Sequence, residues 1–226
     1  MRFFVGLTIL VVALVPAAAQ AQADVPIRTL RAIERHFPSD HRAIELAQAD
    51  QRPEEARRLA YAAIQGFLRR HQDSILAAPG PALVEIEARM AVLLRTLERT
   101  DVRLCATVGD RGLFSSEALA GAAPPGLDDY GVALVEAAKA AGNSSPAAPA
   151  ATKEDFLAWL SAAEGIEPEV PIRAMLFDRE LRTRSSPDRL CRGAAAMHEA
   201  VAPLPPGQRE RIARTLLHSV IGSAVP

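Results

Sequence analysis

Two cysteines, five histidines and a large set of arginines are the residues of this 226-residue chain that first invite chemistry. Cys105 and Cys191 stand in echoing contexts, Arg103-Leu104-Cys105 and Arg189-Leu190-Cys191. A redox-active pair more often reads C-x-x-C, which is absent, so an oxidising compartment would make the two a structural disulfide. Such a bridge closes a loop of about 85 residues, worth ~4 kcal/mol in the chain-entropy description. Among the histidines, His36 and His41 flank Phe37-Pro38-Ser39-Asp40. Two imidazoles and a carboxylate suit zinc or copper. A two-histidine turn is far less specific than a Cys/His spacing motif, however, so both are read as helix-terminal residues and no metal is expected. His198-Glu199 opens like a zinc-peptidase helix, but the position of the second imidazole holds Ala202. Without that ligand one turn on there is no chelating geometry, and His198 is read as a helix-surface residue.

Arginine offers the one candidate binding surface. Arg28, Arg31 and Arg35 form a stripe opposite the apolar face Ile27, Leu30, Ile33 and Phe37. Such a stripe can lie on an anionic surface or grip phosphate groups. Acid–arginine pairs elsewhere recur at i, i+4 spacing, among them Glu54/Arg58, Glu85/Arg89, Asp178/Arg182, Glu180/Arg184, Asp188/Arg192 and Glu210/Arg214. These read as solvated helix faces holding themselves together, whereas Arg31 and Arg35 of the stripe have no acid at that spacing. Carboxylate pairs at Glu54-Glu55, Asp128-Asp129 and Glu154-Asp155 fall in first helical turns, where the helix dipole accounts for them. Trp159, Phe156 and Phe177 fall at core spacing.

Standard catalytic signatures are absent. The chain has no G-x-S-x-G elbow, no S-x-x-K, no phosphate-cradling G-x-x-x-x-G-K and no G-x-G-x-x-G. No catalytic residue and no cofactor is therefore expected, and the chain reads as non-enzymatic. A net charge of −1 and a pI near 6.5 exclude the broad basic surface that non-specific nucleic-acid binding needs.

The elements that must hold these residues are helices. The chain has 44 Ala and 24 Arg but only two Lys, and aromatics make up 4%. Ala and Arg are strong helix formers, and the residues that fill strands are thin. Periodicity and caps place helices at 27–37, 40–50, 53–75, 81–109, 115–119, 127–141, 153–163, 171–183, 187–202 and 206–221. The clearest is the seam Leu83, Ile86, Met90, Leu93, Leu97 and Leu104. Thr152 with Asp155 three residues on has the form of a capping box, and Ser186-Pro187 that of a cap and first-turn proline. The fold class is all-α, a helical bundle of about eight to ten helices.

Met1-Arg2, the apolar run Phe3–Val15 and the small residues after Pro16 have the order of a cleaved signal peptide. Of two A-x-A sites, Ala21-Gln22-Ala23 is preferred, giving a leader at 1–23 and a mature chain from Asp24. No other window is long and apolar enough to span a bilayer, so an exported periplasmic protein is expected. A Pro/Ala/Ser linker at 143–152 divides a bundle domain or lobe at 24–142 from a C-terminal lobe at 153–226. Residues 24–111 carry 14 basic and 13 acidic groups, 112–172 carry 2 and 9, and 173–226 carry 9 and 5. This distribution suggests that the acidic middle lies against the basic C-terminal helices. The expected function is binding of another envelope component, a partner protein or an anionic surface. The alternative is a periplasmic carrier of a small apolar ligand or a metal, and a third reading is an envelope hydrolase with an unrecognised site.

Overall fold

A computed structural model of the chain describes residues 27–48, 53–113, 126–143 and 150–222. The leader at 1–23, the short helix expected at 115–119 and most of the linker lie outside the described residues. Among those described are twelve α-helices and one short 3-10 helix, and no strand. They are α1 Ile27–His36, α2 Pro38–Gln48, α3 Pro53–Arg70, α4 Gln72–Leu76, α5 Gly80–Thr100, α6 Val102–Arg111, α7 Leu127–Ala140, α8 Lys153–Ile166, α9 Ile172–Phe177, α10 Arg179–Arg184, α11 Pro187–Glu199 and α12 Pro206–Gly222. None is long and apolar enough to cross a membrane.

The count exceeds eight to ten because three helices that hydrophobic spacing alone would run together are broken, 53–75 at His71 and two others at aspartates that restart the backbone. The expected helix 81–109 breaks at Asp101, whose carboxylate accepts the Leu104 N–H at 3.0 Å and caps α6. The expected helix 171–183 breaks at Asp178, which accepts the N–H groups of Glu180 and Leu181 at 2.9 and 3.0 Å. Pro38 ends α1 as expected, and also supplies the first turn of α2.

α5 is the axis of the bundle. Its seam Leu83, Ile86, Met90, Leu93, Leu94 and Leu97 is buried, with α7, α11, α12 and α6 packed around it. α1 lies on α7 and on α2. One hydrophobic cluster takes in residues on both sides of 143–152, from Ile33, Phe67 and Leu94 to Trp159, Ala195 and Ile212. α11 contributes its small face, Gly193 to Ala196, to that cluster. The close approach shows at Gly109 of α6, where an added Cβ would meet the Cβ of Ala194 at 2.4 Å. A disulfide between Cys105 and Cys191 joins the same two helices, with Cα atoms 5.2 Å apart.

The bridge spans a separation of 86 residues. Replacing both cysteines with serine therefore lowers the unfolding free energy by about 4 kcal/mol, read from urea denaturation with each variant's own slope, which steepens as the unfolded chain loses its crosslink.

Candidate functional site

The most distinctive surface forms where α8 and α9 meet. α8 starts where its capping box is made: Thr152 Oγ1 accepts the Asp155 N–H at 3.2 Å, and Asp155 Oδ2 accepts the Thr152 N–H at 2.8 Å. The same carboxylate takes Arg211 of α12 through two hydrogen bonds of 2.7 Å. Those Arg211 bonds, together with the Thr152 N–H, hold Asp155 well below the usual carboxylate range. Trp159, Leu160 and Ala163 turn into the core, and Trp159 Nε1 donates to the Met197 carbonyl of α11 at 2.7 Å.

The other face of α8 is open. Phe156 lies tilted against Trp159 with centroids 5.1 Å apart and meets Phe177 edge-on at 6.5 Å. Phe177 is 72% exposed and Leu157 44%. Phe177 thus departs from its expected core position: α9 stops there because Asp178 starts α10, which leaves the ring on the rim. With Leu160 and Ala151 these residues line a groove of about 440 Å³, whose remaining lining is Thr152, Lys153, Arg173 and Thr215. The lining holds two cations and no carboxylate. Arg173 donates to Glu164 at 3.0 Å, and no acid engages Lys153 among the described residues.

Of the arginine stripe, Arg28 is engaged and two members are open. Asp128 of α7 receives the Arg28 and Thr29 backbone N–H groups at 2.9 and 2.7 Å, satisfying orphan donors at the start of α1. The Arg28 guanidinium pairs with Asp129. These two aspartates therefore serve α1 as well as the first turn of their own helix. Arg31 and Arg35 are exposed, with no acidic partner among the described residues.

The histidines are drawn apart. His36 bonds Glu136 of α7 at 3.0 Å, and His41 lies 3.6 Å from Glu45. Asp40 turns instead to His71 at 3.0 Å and to Arg70. Burial pushes Asp40 up, but these hydrogen bonds prevail and hold it below its ordinary value. Among the described residues no three metal-ligating side chains gather. His198 is not on the helix surface as its sequence context suggests. Its Nδ1 lies 2.5 Å from Oε2 of Glu87, a fully buried carboxylate on α5. Burial, with Glu87 nearby, also pushes the Tyr130 hydroxyl far up.

Beside that pair runs an ion network that sequence spacing does not reveal. Arg95 donates to Glu199 at 2.7 and 2.8 Å, to Glu98 at 2.8 Å and to Glu167 at 2.9 Å. Arg192 closes on the other oxygen of Glu167. Burial raises Glu167, yet hydrogen bonds from Arg192 and Arg95 bring it below its usual value. Of the expected i, i+4 pairs, Glu85/Arg89 and Glu180/Arg184 form, and Asp188 lies 3.8 Å from Arg192. Arg182 goes to Asp110, and Arg214 donates to the Ala78 carbonyl at 3.3 Å. The Glu54 and Arg58 side chains lie outside the described residues. The acidic middle meets the basic C-terminal region through Asp155–Arg211, Glu167–Arg192 and Glu164–Arg173, whereas the acids of α7 face α1.

Comparison with protein families, characterised proteins and solved structures finds no match to this chain.

Because Glu167 and Asp155 sit below their unfolded values of ~4, their contribution to stability is full above that pH and is lost as pH falls below it. The urea midpoint should hold steady from neutral pH and drop below about pH 4. Glu167→Gln lowers the neutral plateau and makes the acid limb shallower, which chemical denaturation across pH measures.

Proposed function

We propose that this is an exported, non-enzymatic protein of the bacterial periplasm that binds a partner envelope protein through the groove between α8 and α9. The observation that carries this reading is the pairing of exposed Phe177 and Leu157 with a lining of two cations and no carboxylate. Contiguous exposed apolar surface with a polar rim is characteristic of an interaction site. Charge on that rim selects the partner and sets the approach rate more than it adds affinity. The occupant that fits is a short apolar segment of the partner flanked by acidic residues: its apolar side chains cover Phe156, Leu157 and Phe177, and its carboxylates meet Lys153, while Arg173 is shared with Glu164. Export rests on the leader 1–23, which removes the one long apolar run and delivers the cysteines to an oxidising space.

The chain carries a single tryptophan, and Trp159 lies directly under this groove against Phe156, so its emission reports occupancy. Mature protein starting at Asp24, recovered from the periplasmic fraction, is titrated with a leucine-rich peptide flanked by aspartates and with the same peptide flanked by lysines. A saturating emission change is expected with the acidic peptide, about tenfold tighter than with the basic one at low salt. Phe177→Ser abolishes it. Equal affinity for the two peptides, no response to either, or indifference to Phe177→Ser overturns the reading. So does binding to anionic vesicles that depends on Arg31 and Arg35 in the absence of any peptide response.

A further inference from the structure

The geometry points to a second binding site, for a small amphipathic anion, in the cleft between α5 and α11. This cleft has a volume of about 400 Å³, within the range of small-molecule sites. Its walls are aliphatic, chiefly Val84, Val92 and Val201, and Val92 is 57% exposed although it sits in the middle of the central helix. Arg95, Arg99, His198 and Glu199 supply its polar lining.

What each polar group has left to offer decides the ligand. Arg95 is saturated by three carboxylates, and Glu199 spends both oxygens on Arg95. Neither has charge to spare. Arg99 is different: its one hydrogen bond is a long 3.5 Å contact to Thr96 Oγ1, and no acid engages it among the described residues. His198 commits Nδ1 to Glu87, which leaves Nε2 as the ring nitrogen without a protein partner. A buried carboxylate behind an imidazole fixes the ring's orientation. The cleft therefore offers a guanidinium and an anchored imidazole beside an aliphatic wall.

The complementary molecule has a carboxylate or phosphate head and a short alkyl chain. The head meets Arg99, and the chain lies along Val92 towards Val84 and Val201. This site is separate from the α8–α9 groove and does not depend on the partner reading.

Calorimetric titration of the mature, oxidised protein below micellar concentration tests it with decanoate, decyl phosphate, decanol and acetate. Decanoate and decyl phosphate should bind, the tighter of the two naming the head group, with decanol and acetate at least ~10-fold weaker. Arg99 and Val92 are both exposed, so Arg99→Gln and Val92→Asp leave the core intact. Arg99→Gln should weaken decanoate about 10-fold, and Val92→Asp should remove binding. His198→Gln is less informative alone because it strands Glu87. Decanol binding as well as decanoate, no binding of either anion, or indifference to Arg99→Gln and Val92→Asp overturns the proposal. Loss of decanoate binding in Phe177→Ser instead assigns the ligand to the other groove and overturns it equally.

Discussion

The position of α11 against α5 and α6 is the constraint on which the rest of the molecule depends. Gly193 to Ala196 are small enough to bring the helix backbones together, and Gly109 leaves room for Ala194 on the opposite side. Close backbone approach of this kind tolerates no added methyl, because packed interiors have no slack to absorb it. The cysteine pair then fixes the register covalently. From that register follow the Met197 carbonyl that receives Trp159, the imidazole that meets Glu87 and the carboxylate that meets Arg95. Slipping α11 by one residue would misplace all three together.

Burying so many charges at one junction is costly unless every one is answered. A buried carboxylate loses hydration worth several kcal/mol, and only close, multiple hydrogen bonds restore it. Glu167 receives two guanidiniums, Asp155 receives Arg211 and the Thr152 N–H, and Glu87 receives an imidazole. These contacts add specificity more than net stability: they pin the turn after α8 and the start of α8 to α11, α5 and α12. α8 is held from three sides, and its remaining face is left to solvent. The exposed aromatic surface is therefore presented by a rigid support.

What was legible in the sequence was local chemistry. The Thr152–Asp155 cap, the proline starts of α3 and α11 and the heptad seam of α5 are short-range patterns whose physics does not wait for the fold. The cysteine pairing was legible because the chain has only two cysteines and no C-x-x-C. Contacts between distant residues were not legible, since Glu87 and His198 are 111 positions apart. One signal was present: Glu87 lies on the apolar face between Leu83 and Leu94, where an acid must be buried and must find a cation or donor. Asp101 and Asp178 show the opposite failure, as hydrophobic spacing continues straight through them while their carboxylates restart the backbone. The same break at Asp178 explains why Phe177, which has core spacing, ends on a rim and makes the groove.

The covalent link between α6 and α11 also changes what cutting the chain means. Residues 105 to 191 form a closed ring, so a single proteolytic nick anywhere within it opens the circle without releasing a fragment. The two halves stay tethered beside the α11 face that both helped to build. In a compartment rich in proteases, a protein of this topology can be cleaved once and still persist as a single molecule with its core assembled.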